Sequence, residues 1–292
     1  QPIILGGRDY ANDLGGWLVA QEGWGVAAAA FVTMGISATG FLLSRLIPLA
    51  PAADPQLAIN WNPLTETWRN FQFMRGNRTV FLSVLGISWF WFYGSIFITQ
   101  FPNLSKDILS GQESVVTLLL IVFSIGIGAG SLLCERLSGH KVEIGLVPFG
   151  SIGMTLFGID LYFALAAHLQ HEPMALAAFL RDAGHWRILG DLFLIGLFGG
   201  FYIVPLYALI QIRSEPSHRS RIIAGNNILN ALFMVAAAGI AIGLFSLGFT
   251  IPQLLLATAL MNAVVALYIY RLVPEVLRSI IVWLLIDSAC RL

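Results

Sequence analysis

Residues 114–134 read SVVTLLLIVFSIGIGAGSLLC, an apolar run without a charged side chain. A helix needs about 20 apolar residues to cross the hydrocarbon core of a bilayer, so this run predicts a membrane-spanning helix. Six further runs share its length and character, and together they predict an all-α polytopic membrane protein. The seven predicted spans cover residues 25–47, 79–101, 114–134, 144–166, 188–212, 222–248 and 251–270.

The composition agrees with a chain whose surface faces lipid. Of 292 residues 57% are hydrophobic and 11% charged, and the mean hydropathy is +0.79. A soluble domain carries roughly 25% charged residues. Only Arg45, Asp160 and Asp191 place a charge inside the predicted spans. The formal net charge is zero, and the absence of a Lys/Arg stripe argues against a nucleic-acid partner.

The distribution of Lys and Arg predicts the orientation. If the linker 48–78 lies inside and later loops alternate, 12 of the 16 basic residues fall inside and 4 outside. We therefore expect the N-terminus of this chain outside and its C-terminus in the cytoplasm. Cys134 and Cys290 offer no disulfide framework.

The connecting segments differ in kind. Residues 48–63 are rich in Pro and Ala and include Asp54, which is typical of a flexible linker. Residues 64–75 (LTETWRNFQFMR) predict an amphipathic helix at the cytoplasmic interface. The tail 273–292 is apolar but interrupted by charges, and it either lies at the interface or forms an eighth span.

The loop after the third span resembles a motif of the major facilitator superfamily. Residues 130–145 read GSLLCERLSGHKVEIG, in which Glu135 and Arg136 precede Gly139 and basic residues. Glu135 and Arg136 would pair with a neighbouring helix end. The resemblance implies a partial facilitator fold containing family helices 6–12. Its parts would be an outer segment with a helix remnant (1–24), the last helix of the N-terminal half (25–47), a cytoplasmic linker (48–78), a six-helix C-terminal half (79–272) and a tail (273–292).

A narrower resemblance rests on four stretches. WFWFYGSIFITQFPNLSK (89–106), FSIGIGAGSLLCERLSG (123–139), FYIVPLYALIQIRS (201–214) and AGNNILNA (224–231) are similar to the bacterial lysophospholipid transporter family. They are most similar to members fused to a phospholipid acyltransferase and an acyl-carrier-protein synthetase, and the tail resembles the segment that leads into that acyltransferase.

The resemblance implies a transporter of the bacterial inner membrane rather than an enzyme. It would move lysophospholipid, such as lysophosphatidylethanolamine, to the cytoplasmic leaflet by alternating access, without a covalent step or a cofactor. Its partners would be the bilayer, the lysophospholipid, the preceding helices of the same protein and an acyltransferase. The chain begins with Gln1, so we expect those helices in a longer natural sequence.

Polar groups at membrane depth mark candidate binding residues, because each costs free energy unless it is paired. Asn226 and Asn230 share one helix face and either bind a headgroup or join two helices. Pro205 predicts a break in the fifth span, and such breaks often line a cavity. Tyr202 and Tyr207 flank this break, and Gln211 extends the same face towards the inside. All three are candidate binding residues.

Aromatic and small residues add two further candidates. Trp89 and Tyr93 share a face and form either an acyl-chain wall or a lipid-facing surface, and Gln100 lies near the outer mouth of the same span. Gly126 and Gly130 form a G-x-x-x-G pattern, which predicts close helix packing.

Charged residues suggest coupling or gating. Asp160 is a candidate proton-coupling acid, and Arg219 and Arg221 lie in a basic loop that would attract an anionic headgroup or follow the ordinary positive-inside bias. With Glu135 and Arg136 they complete the candidate gating set. His168 and His171 have loose metal-ligand spacing in a loop, and we predict no metal site.

Two other functions remain open. The chain could be part of a proton-coupled carrier of drugs or metabolites, which an essential membrane acid would favour. It could also anchor an acyltransferase to the membrane, with transport secondary.

Overall fold

The computed structural model describes residues 23–48, 61–138, 145–166 and 174–272, and they form nine α-helices and no named β-strand. Seven of these helices are long and apolar enough to cross a membrane, which confirms the predicted all-α polytopic fold. The helices are α1 (Gly25–Ser44), α2 (Pro63–Arg75), α3 (Arg78–Asn103), α4 (Glu113–Leu137), α5 (Leu146–Ala166), α6 (Leu176–Arg181), α7 (Ala183–Arg213), α8 (Arg219–Ser246) and α9 (Ile251–Leu272). The short helices α2 and α6 are the two that do not qualify as spans.

Side-chain caps define where several helices begin. The Asn62 carboxamide oxygen accepts from the backbone N–H of Leu64 (3.0 Å), and Pro63 occupies the first helical position of α2. Asn77 caps α3 in the same way, accepting from Thr79 N at 3.0 Å. The amide nitrogen of Asn77 also donates to the carbonyl of Arg213 (3.3 Å), which ties the start of α3 to the end of α7.

Helix α7 lies at the centre of the bundle. It packs against α3, α4 and α5, while α3 also packs along α8, and α9 packs against α5 and α3. The amphipathic helix α2 confirms the helix predicted for residues 64–75 and lies against α8. Helix α1 buries none of its apolar span against the other described helices.

Glycines let α4 and α7 meet backbone to backbone. A Cβ atom added at Gly126 would lie within 2.2 Å of the Phe193 carbonyl oxygen, and one at Gly130 would lie within 2.0 Å of the Leu197 oxygen. The contact is reciprocal, since a Cβ at Gly196 would meet the Phe123 oxygen at 2.4 Å. The close packing predicted from the G-x-x-x-G pattern is therefore confirmed.

The predicted break at Pro205 is wrong, because α7 runs without interruption from Ala183 to Arg213. Proline removes one backbone donor, but packing against neighbouring helices allows a membrane helix to continue through it. Pro102 lies near the end of α3, just before the backbone widens into a π-helical turn, Leu104–Ile108.

Several predictions concern residues outside the described ranges. They are the helix remnant in segment 1–24, most of the linker 48–63, the turn at Gly139, the histidines His168 and His171, and the tail 273–292.

Candidate functional site

A polar network joins α3, α7 and α8 at membrane depth. In the amide orientation that satisfies both ends of Asn230, its nitrogen donates to Ser88 Oγ (2.9 Å) and its oxygen accepts from Trp91 Nε1 (3.3 Å). The same oxygen accepts from Asn226 Nδ2 at 3.1 Å, so the two asparagines do share a helix face. Trp91 Nε1 also lies 3.2 Å from the Tyr207 hydroxyl. We call these five residues the amide network.

The amide network has a buried end at Asn226 and an exposed end at Trp91. Asn226 is 2% exposed, yet its Oδ1 atom accepts no hydrogen bond within the described structure. Trp91 is 39% exposed and Tyr207 is partly exposed. A buried acceptor without a donor costs about 1–3 kcal/mol. The network therefore has an unmet acceptor beside an edge that faces outward from these helices.

Trp89 and Tyr93 point to a different part of the bundle. Trp89 Nε1 donates to Asn262 Oδ1 of α9 (2.8 Å), and the Asn262 amide donates to Thr155 Oγ1 (2.9 Å) and the Ser151 carbonyl (3.0 Å) of α5. The Tyr93 hydroxyl donates to a backbone carbonyl of α5, and Tyr93 is 1% exposed. Residues of α5 and α9 therefore cover the face formed by Trp89 and Tyr93.

The remaining predicted binding residues are dispersed. The Tyr202 hydroxyl donates to the Gly86 carbonyl (3.2 Å), which joins α7 to α3. Gln100 is buried near the end of α3, and its Oε1 accepts no hydrogen bond in the part of the chain described. Gln211 is exposed near the end of α7. The structure thus brings Tyr207, Asn226 and Asn230 together.

A charged cluster joins α5 to α7. The Arg187 guanidinium donates to both carboxylate oxygens of Asp160, with Nε at 3.1 Å from Oδ2. Asp191 lies one helical turn beyond Arg187 and interacts electrostatically with both groups. Asp191 is 4% exposed, and its Oδ2 has no hydrogen-bond partner among the described residues. The predicted coupling acid Asp160 is therefore half of an interhelical ion pair.

The gating candidates lie at helix ends. Glu135 and Arg136 are exposed in the last turn of α4, and Arg219 and Arg221 occupy the first turn of α8. No group of three or more His, Cys, Asp or Glu side chains within the described ranges is placed to hold a metal ion.

Sequence reasoning missed three residues that make polar contacts between helices. Asn262 is a polar residue inside the last span, the same signal that marked Asn226, and it joins three helices. Arg187 was expected in an outer loop, but α7 begins at Ala183 and so includes it. Trp91 was visible in the aromatic run, but the helical period does not show which face meets α8.

Comparison with known proteins finds relatives of one kind. The lysophospholipid transporter LplT of Serratia proteamaculans is 28% identical over 231 residues, which cover 77% of this chain and 51% of that protein. LplT of Klebsiella pneumoniae is 28% identical over 230 residues (78% and 52%), and LplT of Cronobacter sakazakii is 30% identical over 233 residues (77% and 51%).

The chain thus spans about half the length of the curated relatives it matches. No protein-family model and no solved structure matches it. The quoted stretches 89–106, 123–139, 201–214 and 224–231 predicted the same relationship. This multi-pass membrane chain is a relative of the bacterial lysophospholipid transporters.

Proposed function

We propose that this chain is part of a transporter that moves lysophospholipid across a bacterial membrane by alternating access. The observation that carries the proposal is the amide network, in which Asn226 Oδ1 lacks a donor and Asn230 links Asn226 to the exposed Trp91. The names of the relatives supply the substrate class.

The chemistry of the amide network suits an amphiphile. Asn226 Oδ1 would accept from an N–H or O–H donor of the headgroup, and the Tyr207 hydroxyl offers a second polar contact. Gln211 would meet the headgroup nearer the cytoplasm. The single acyl chain would lie along apolar surface, which α8 exposes in quantity at Leu232 and Val235.

Other predicted binding residues take supporting roles in this proposal. Trp89 and Tyr93 hold α3 against α5 and α9 through Asn262 and the Met154 carbonyl, so they would keep the wall behind the amide network rigid. The glycine contacts make α4 and α7 a single body. Separation of α3 from α8, with α4 and α7 displaced together, would change access to Asn226. No step forms or breaks a covalent bond.

The proposed setting is the inner membrane, with the N-terminus of this chain outside and its C-terminus in the cytoplasm. The excess of Lys and Arg in the loops assigned to the inside supports this orientation. Because the relatives are about twice as long as the aligned segment, we propose that further helices of the parent protein form the opposite wall. An acyltransferase, fused or separate, is a proposed partner that would consume the delivered lysophospholipid.

The test uses the full-length parent protein in proteoliposomes with labelled lysophosphatidylethanolamine. We expect wild-type protein to move the lipid between leaflets and Asn226→Ala to slow this movement about tenfold, since one hydrogen bond is worth about 1.4 kcal/mol. Asn227→Ala is the matched control, because Asn227 is adjacent, exposed and outside the amide network. Absence of lipid movement by wild-type protein would contradict the proposed function.

The Asp160–Arg187–Asp191 cluster favours a second candidate, an ion-coupled carrier of a soluble solute. Asp191 is the buried member of the cluster, and charge buried at membrane depth is costly and often marks an ion pathway. Under this alternative, the parent protein would take up a soluble solute in response to a proton gradient, and Asp191→Asn would abolish that response. Lipid movement that is insensitive to the gradient in wild-type and Asp191→Asn protein would exclude it.

A further inference from the structure

Basic side chains of α2 and α8 converge on one aromatic ring. The His218 ring packs against the Phe73 ring at an interplanar angle of 32°, with centroids 4.3 Å apart. The guanidinium carbon of Arg221 lies 5.4 Å from the Phe73 centroid, and that of Arg69 lies 6.0 Å from it. Phe73 thus gathers two guanidinium groups and an imidazole at the junction of the two helices.

Three buried donor atoms at this junction have no acceptor within the described structure. Arg219 Nε and Arg221 Nη1 are buried and have no acceptor. Ser214, at the start of the same loop, is 3% exposed, and its hydroxyl also has no partner. These three donor atoms lie between the end of α7 and the first turn of α8.

The start of α8 adds positive potential. Its first turn contains no acidic residue, and the N-cap residue His218 makes no side-chain hydrogen bond to the helix. Unsatisfied N–H groups at a helix N-terminus attract anions. Two acids lie at the edge of this cluster, where Glu66 pairs with Arg69 (3.8 Å) and Glu215 contacts His218 (3.3 Å), so Arg219 and Arg221 are the cations left for a further anion.

Helix α2 supplies an apolar face beside these cations. Leu64 and Trp68 lie four residues apart on α2 and are 80% and 62% exposed, and Trp61, just before the helix, is 88% exposed. On another face of α2, Met74 is fully buried against α8 near Gly225. Exposed Trp and Leu next to basic residues are typical of a helix that lies in the headgroup region of a bilayer.

We propose that the α7–α8 loop, the start of α8 and Arg69 of α2 form a phosphate site for the headgroup of an anionic phospholipid. Arg219, Arg221 and the Ser214 hydroxyl donate to the phosphate oxygens. Trp61, Leu64 and Trp68 embed in the leaflet that supplies the lipid. This site is separate from the amide network, and the lipid it binds stays in place rather than being transported.

The experiment measures lipid bound to the full chain in detergent by native mass spectrometry. Dioleoylphosphatidylglycerol is the probe, and dioleoylphosphatidylcholine and inorganic phosphate are comparison ligands. We expect phosphatidylglycerol to bind in preference to phosphatidylcholine. Each of Arg219→Gln and Arg221→Gln should weaken binding about fivefold, the effect of one basic residue near an anionic lipid.

Arg213→Gln is the matched control, because Arg213 is an exposed arginine beside the same loop. Equal losses in Arg213→Gln and Arg219→Gln would show diffuse attraction and overturn the proposal. Displacement of the lipid by equimolar inorganic phosphate would show that the site binds free phosphate. That result would overturn the proposal that its ligand is a phospholipid. If the Gln variants unfold, the wild-type preference alone decides, and equal binding of both lipids overturns the proposal.

Discussion

Replacing Gly130 with alanine tests the contact that joins α4 to α7. The added Cβ would lie 2.0 Å from the Leu197 carbonyl oxygen, and Cβ atoms essentially never come within 3.0 Å of such an atom. The obstacle is backbone, which cannot rotate away as a side chain does. The two helices must therefore separate locally by about 1 Å, which a close-packed interior resists.

The loss in the free energy of unfolding depends on which contacts between α4 and α7 are weakened when the helices separate. Overpacking a well-packed interior costs about 1–3 kcal/mol. Gly130→Ala should lie at the upper end, because the same shift opens the contacts of Gly126, Gly196 and Gly200. The higher helix propensity of alanine offsets about 1 kcal/mol. We expect a net loss of about 2 kcal/mol in the free energy of unfolding.

Gly128→Ala is the control for the Gly130 variant. Gly128 lies two residues away on α4, and a Cβ added there meets no atom within 4 Å. Its stability should be unchanged or higher by up to about 1 kcal/mol. The assay is reversible unfolding of the purified chain in mixed micelles titrated with sodium dodecyl sulfate. Equal stability of the two variants would refute backbone contact between α4 and α7.

Two further predictions concern interhelical polar contacts. Asn262→Leu removes the acceptor of Trp89 Nε1, and the free energy of unfolding in the same assay should fall by about 1–2 kcal/mol; an unchanged value would show that this network contributes nothing to stability. Arg187→Gln leaves Asp160 without its partner beside Asp191, so the midpoint of thermal unfolding should fall. Adding Asp160→Asn should recover part of that loss, and an additive loss in the double variant would contradict the charge-balance argument.

Local features of the sequence predicted most of the fold. Each span is visible because length and apolarity are properties of one continuous segment. The Asn226–Asn230 face and the G-x-x-x-G pattern of Gly126 and Gly130 are equally local, since residues four apart share a helix face. The matching pattern at Gly196 and Gly200 was also visible, and it could have identified α7 as the partner of α4.

Contacts between helices could not be predicted in the same way. The helical period places Trp89 and Tyr93 on one face, but it does not show that α5 and α9 cover that face. Nor does it place Trp91 against Asn230. The ion pair of Asp160 and Arg187 depends on how α5 and α7 are aligned, which no single segment encodes. The sequence therefore identified candidate binding residues from their residue type and depth in a span, whereas their arrangement in space is visible only in the structure.

The two kinds of interhelical contact suggest where the bundle can move. Between α4 and α7 the backbones touch at four glycines, and any separation loses that contact without replacement. The packing of α3 along α8 includes the amide network, where Asn226 Oδ1 already lacks a donor. A ligand that supplies this donor gains a hydrogen bond while the network rearranges, so the cost of opening is partly offset. Movement during transport should therefore occur at the α3–α8 contact, with α4 and α7 displaced together.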